Sequence, residues 1–152
     1  MKNIKRVLCL VLTLLMVAST VSVFAAFSDV PTTASYEKAV SALSQLGIIK
    51  GYDDGTFKPD NDVTRAEFTA MLMRTMGAGS IGSSSSADLP FSDVSDQNSD
   101  ISWSIPNINT AYKNGIVNGY EDGTFRPNDK VAYEEAVKMV VCALGYGENI
   151  SV

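Results

Sequence analysis

Displacing the amino-acid sequence by 68 residues lays 47–63 over 115–131, and ten of those seventeen positions are identical (GIIKGYDDGTFKPDNDV against GIVNGYEDGTFRPNDKV). A chain built this way is constrained to fold as two copies of one small unit, because self-similarity of this kind specifies supersecondary units that bury their apolar faces against one another. The match reaches outward. Phe27-Ser28-Asp29-Val30 returns as Phe91-Ser92-Asp93-Val94 at a displacement of 64, so the second copy holds four extra residues around 97–100. From Gly77 to Pro90 the chain reads GAGSIGSSSSADLP, the composition of a flexible linker. The organisation that follows is a leader over 1–25, a first repeat over 27–77, a linker over 78–90, a second repeat over 91–147 and a tail over 148–152.

Each repeat reads as helix, short strand and turn, then helix. Tyr36, Val40, Leu43 and Leu46 recur at spacings of three and four, as one face of a helix requires, and Gly47 supplies a left-handed stop. Ile105, Ile108, Ala111 and Tyr112 do the same before Gly115, with Pro106 tolerated in a first turn. The β-branched pairs Ile48-Ile49 and Ile116-Val117 suit a brief buried extended segment. Asp54-Gly55 and Asp122-Gly123 then turn the chain, and Phe57 and Phe125 fold inward behind them. The closing helix of the first repeat opens with Thr64-Arg65-Ala66-Glu67, a capping box, and its predicted core face is Phe68, Met71, Leu72 and Met76. The second repeat predicts Ala136, Met139, Val140 and Leu144, without the cap, because Ala132 stands where Thr64 does.

The N-terminus has another character. Lys2, Lys5 and Arg6 precede an apolar run from Val7, and small residues follow at Ala25 and Ala26, the layout of a secretory signal peptide. Its removal takes three of twelve basic residues and none of the seventeen acidic ones, leaving a charge of −8. That charge argues against nucleic acid as a partner, and an exported chain without its leader has no membrane anchor. Cys142 alone then remains, in an apolar run, so packing rather than a disulfide must hold the fold.

The start F-x-D-V, the centre G-I-I-x-G-Y-x-D-G-T-F-x-P and the helix start T-R-A-E, in that order over about fifty residues, resemble the S-layer homology family, and both repeats carry the resemblance. It implies a mainly α fold of helix–short strand/turn–helix repeats packed as a partial pseudo-threefold bundle. It further implies export to the cell wall and non-covalent anchoring to secondary cell-wall polysaccharide, commonly pyruvylated. Members usually have three repeats, so other chains of the family, or a second copy, are further candidate partners. A structural surface-layer protein that assembles with itself and binds no glycan is the alternative.

Carried over to this chain, the family's inter-repeat grooves give candidate glycan-binding residues Asp29, Gly51, Tyr52, Arg65 and Glu67 in the first repeat. Asp93, Trp103, Gly119 and Tyr120 are the candidates in the second. A guanidinium holds a carboxylate by two parallel hydrogen bonds, which makes Arg65 the foremost candidate. Two departures point to one complete groove: Ala132-Tyr133-Glu134-Glu135 replaces T-R-A-E in the second repeat, and Ser35 stands where the second repeat has Trp103. The chain contains no histidine and no nucleophile beside a recognisable base, so no enzyme activity and no cofactor are expected. Calcium is not expected either. An EF-hand loop with Gly55 or Gly123 as its sixth residue would put Tyr52 or Tyr120 at the third ligand position.

Overall fold

The computed structural model describes residues 27–79, 81–82 and 84–147; the predicted leader and tail lie outside the described residues. Among the described residues four α-helices carry the fold: α1 (Glu37–Gln45), α2 (Arg65–Thr75), α3 (Ile105–Lys113) and α4 (Tyr133–Val141). The predicted extended segments form no ladder. Among the described residues the isolated β-pairing is one antiparallel bridge, Thr64 with Lys130.

Local signals act as the residues dictate. Gly47 and Gly115 take φ of +70° and +66° and end α1 and α3, where the N–H groups of Ile48 and Ile116 return to the carbonyls of Leu43 and Ala111. Pro106 lies in the first turn of α3, where its missing N–H costs nothing. The capping box at α2 is complete: Thr64 Oγ1 accepts from Glu67 N at 3.2 Å, and Glu67 Oε2 accepts from Thr64 N at 2.8 Å. At α4 only the second half survives, Ala132 N donating to Glu135 Oε2 at 3.0 Å, since alanine has no oxygen to offer.

The core belongs mostly to the second repeat. Phe91, Val94, Ile101, Ile105, Ile108, Ala111, Ile116, Val117, Phe125 and Met139 form one buried cluster, and the first repeat adds Met73. The helix α2 therefore serves the other repeat's core. It lies on α3 through Ala66, Thr69, Ala70 and Met73, which share one face at spacings of three, four and seven. That corrects the predicted face: Phe68 and Leu72 are at the rim, and Met76 is exposed. The physical reason is size. Two alanines and a threonine let α3 approach closely, whereas a stripe chosen by hydrophobicity alone overlooks small side chains. Of the predicted face of the last helix only Met139 is buried, while Val140 on α4 and Leu144 in the turn Cys142–Tyr146 beyond it stay exposed.

The predicted linker is tied to the second repeat where it is described. The Asn109 side chain donates to Ser85 O at 3.2 Å, Lys113 pairs with Asp88 at 3.1 Å, and a Cβ on Gly82 would strike Pro106 O at 2.1 Å.

A clamp between the repeats and an open groove

The two repeats build one framework twice. In the first, both oxygens of Asp29 are taken by backbone N–H groups, Phe57 at 2.8 Å and Lys58 at 2.7 Å; in the second, Asp93 holds Phe125 and Arg126 at 2.7 Å each. The Phe57 N–H foremost keeps the Asp29 carboxyl below its usual range, against a smaller opposing effect of burial. These aspartates rivet F-S-D-V to the turn. Gly51, at φ +69°, is needed for close approach: a Cβ there would sit 2.2 Å from the Phe27 ring, and one on Gly119 2.6 Å from Phe91. Asp54 and Asp122 each accept from the threonine two residues on, and the Thr124 hydroxyl, then Arg126, pulls Asp122 down to about 2.

Lys58 and Arg126 share a left-handed backbone, φ +56° and +58°, which aims each cation over the tyrosine of its own repeat, 4.2 Å above Tyr52 and 4.0 Å above Tyr120. The tyrosine hydroxyls donate in turn to the closing-helix glutamates, Tyr52 to Glu67 at 2.8 Å and Tyr120 to Glu135. Burial first, and then the hydrogen bond to Glu67, push Tyr52 up to about 12. Burial opposes ionisation of Glu135, yet the bonds from Tyr120, Ala132 N and Arg65 outweigh it and hold the carboxyl below its usual range.

The repeats part company at Arg65, which points out of its own repeat and into the second. Its Nε donates to Phe125 O at 2.8 Å and its NH2 to Asn118 O at 3.3 Å, while NH1 pairs with Glu135 at 3.0 Å. The guanidinium stacks 4.8 Å from the Phe125 ring centre and 4.9 Å from that of Tyr120. The residue is 4% exposed. Backbone pairing surrounds it: Arg65 N donates to Asp129 O, Ala66 N to Pro127 O, and Val131 N to Val63 O, at 2.9–3.0 Å. Two N–H groups of the first turn of α2, which have no partner inside the helix, are thus satisfied by the neighbouring repeat. Arg65, the foremost ligand candidate, is buried as a clamp between the repeats, and the second repeat, which has Tyr133 rather than an arginine at its own helix start, receives this one.

The predicted site residues accordingly separate. Arg65, Gly119 and Tyr120 line a small cavity of about 190 Å³ together with Glu135 and Lys138. Gly51, Tyr52, Glu67 and Trp103 come together in a wider one of about 640 Å³, which also takes in Lys50, Lys58, Arg74, Asp100 and Asn128. Asp29 and Asp93 line neither. Trp103 is 47% exposed, its indole N–H held by Asp100 O at 3.0 Å. Sequence reasoning did not single out Glu135, Lys58 or Arg74. Glu135 was within reach, because the 68-residue displacement maps Glu67 onto it.

Two copies of one bracket, joined by an arginine that crosses between them, define a tandem-repeat module. The S-layer homology domain matches residues 26–69 and 90–137, and the chain belongs to that family, whose domain is an anchoring module of exported bacterial cell-surface proteins. It is 35% identical over 151 residues to a cell surface protein of Thermoanaerobacter kivui, covering 96% of this chain and 19% of that protein. It is 35% identical over 117 residues to a surface layer protein of Brevibacillus choshinensis, covering 77% and 10%. A cellulosome-anchoring protein of Acetivibrio thermocellus is 31% identical over 87 residues, 57% of this chain and 19% of that one. The chain thus spans less than a fifth of the length of these relatives.

Proposed function

We propose that the chain holds the protein carrying it to cell-wall polysaccharide, with no catalytic role of its own, and that the sugar lies in the wide cavity against Trp103. One observation carries this reading: an indole left half in solvent faces the same cavity as Tyr52, Glu67 and the cations Lys50 and Arg74. An aromatic face covers the apolar side of a sugar ring, and carboxylates accept its hydroxyls. Lys58 is committed to Asp54 at 3.2 Å and Arg74 NH1 to Ile48 O at 3.1 Å. Lys50 has no ion-pair partner among the described residues, so it takes the carboxylate of a pyruvylated sugar.

The test is retention on purified wall sacculi. Trp103→Ala should lower retention on the order of tenfold, the loss of one well-placed aromatic contact of about 1.4 kcal/mol, with an unchanged unfolding curve. Retention equal to the parent's would overturn the reading. A surface-lattice protein that binds itself and no sugar is the second reading, supported by the exposed Leu46 and Leu144 at 73% and 68%. It requires sedimentation that shifts with concentration, and retention indifferent to Trp103→Ala.

A further inference from the structure

The four extra residues of the second repeat, around 97–100, begin where the linker touches that repeat. Ser86 N donates to Asp96 Oδ1, Asp96 N returns a bond to Ser86 Oγ at 3.2 Å, and Ser85 Oγ donates to Asp96 Oδ2 at 3.4 Å. We propose that this latch sets the orientation of the Trp103 indole, which makes Asp96 a positioning residue for the sugar contact; the sugar half of the proposal rests on the function assigned to the wide cavity.

The indole needs such a support. Trp103 is 47% exposed, and among the described residues no ring and no cation stacks on it, so packing alone leaves its orientation open. What fixes the ring is its N–H bond to Asp100 O at 3.0 Å, and Asp100 belongs to the inserted residues. The insertion is one bonded turn. Asn98 O accepts from Ile101 N at 3.3 Å and from Ser102 N at 3.1 Å, and Asn98 Oδ1 accepts from Asp100 N at 3.1 Å. A turn closed on itself moves as a unit, so the direction of the Asp100 carbonyl depends on how the two ends of the unit are tied down. One end is Ile101, fully buried. The other runs exposed from Asp96, and there the linker supplies the bonds.

The linker is itself anchored beside the latch. Asn109, fully buried on α3, donates to Ser85 O at 3.2 Å, and Leu89 packs against the core. The Ser86 hydroxyl foremost, and then its N–H, hold the Asp96 carboxyl below its usual range, so near neutral pH the latch closes on a charged acceptor. In the first repeat Ser35 stands at the place of Trp103, and the four residues are absent as well. Latch and indole thus occur together, in one repeat. A ring oriented before the sugar arrives loses less freedom on binding.

Trp103 is the single tryptophan of the chain, so fluorescence anisotropy of the full chain reads the freedom of its ring without any glycan. Asp96→Ala should raise the share of anisotropy lost within nanoseconds, the range of side-chain hops. It should also lower retention on wall sacculi about threefold, the ordering cost of one freed side chain. Asp96→Asn, which keeps an oxygen for the Ser86 N–H, should restore most of both. Ser86→Ala, which removes only the return bond, should loosen the ring by less. A latch that served stability alone would lower the unfolding midpoint and leave the anisotropy as it was. Unaltered anisotropy in Asp96→Ala overturns the proposal, as does an asparagine variant as loose as the alanine one. So does a loosened ring with full retention where Trp103→Ala loses it. Full retention in Trp103→Ala sinks the sugar half alone, and the anisotropy still decides the latch.

Discussion

The two repeats share nearly every polar bond of their turns, yet they differ in what stands behind them. Phe125 is fully buried beneath the guanidinium of Arg65 and against Phe91, while Phe57 stacks on Phe27 half in solvent. Val94 and Ile116 are buried where Val30 and Ile48 are half exposed. Sequence identity at the turns therefore measures a shared backbone, whereas burial depends on whether a neighbour supplies a helix. The second repeat has that neighbour in α2. The first repeat's own α1 presents Leu43 and Leu46 to solvent.

Substitutions at matched positions turn this contrast into numbers. Phe125→Ala should cost about 4 kcal/mol in urea unfolding, the upper range for a buried aromatic, and Phe57→Ala less than about half of that. Equal losses would erase the distinction between the repeats. Arg65→Ala should cost about 3 kcal/mol, because it strands Glu135 half-buried without its cation, while Tyr133→Ala should stay within about 0.5 kcal/mol. Removing the intact cap with Thr64→Ala should cost about 1 kcal/mol, and Ala132→Thr should gain about 0.5 kcal/mol by completing the half-built box.

The smallest effects are in titration. Asp29, Asp54, Asp122 and Glu135 have folded-state pKa values below their unfolded ones. Their stabilisation is present above the ordinary carboxylate range and should be lost as pH falls through the folded values, to about 2 for Asp122. The part of stability that these carboxylates supply, followed against pH, should decline only on the acid side of that range. At the alkaline end the repeats should separate. Both tyrosines are raised, first by burial, but Arg65 and Arg126 oppose the rise at Tyr120, so it should ionise before Tyr52 in an ultraviolet titration.

How much of this was legible follows from the range of each signal. The glycine stops, the D-G turns, the complete box at Thr64 and the missing one at Ala132 are written within a few residues, and the structure has them all. So is the inward Phe125. The burial of Ala66, Thr69 and Ala70 was missed because a helical stripe says which residues share a face, not which face meets small-residue packing. The destination of Arg65 was missed for a related reason: the four residues T-R-A-E to which it belongs describe a helix start, while its acceptors lie 53 to 70 residues further on. A repeat alignment matches like with like and is blind to a side chain that leaves its own unit.

The backbone pairing of Arg65 and Ala66 with Asp129 and Pro127 also sets an order of assembly. A polypeptide crossing a membrane N-terminus first delivers the start of α2 about sixty residues before the carbonyls that complete it. Until the second D-G turn emerges, those amides have only water or a chaperone to satisfy them, so the first unit waits, frayed at one end, and ripens only when the later-born half arrives.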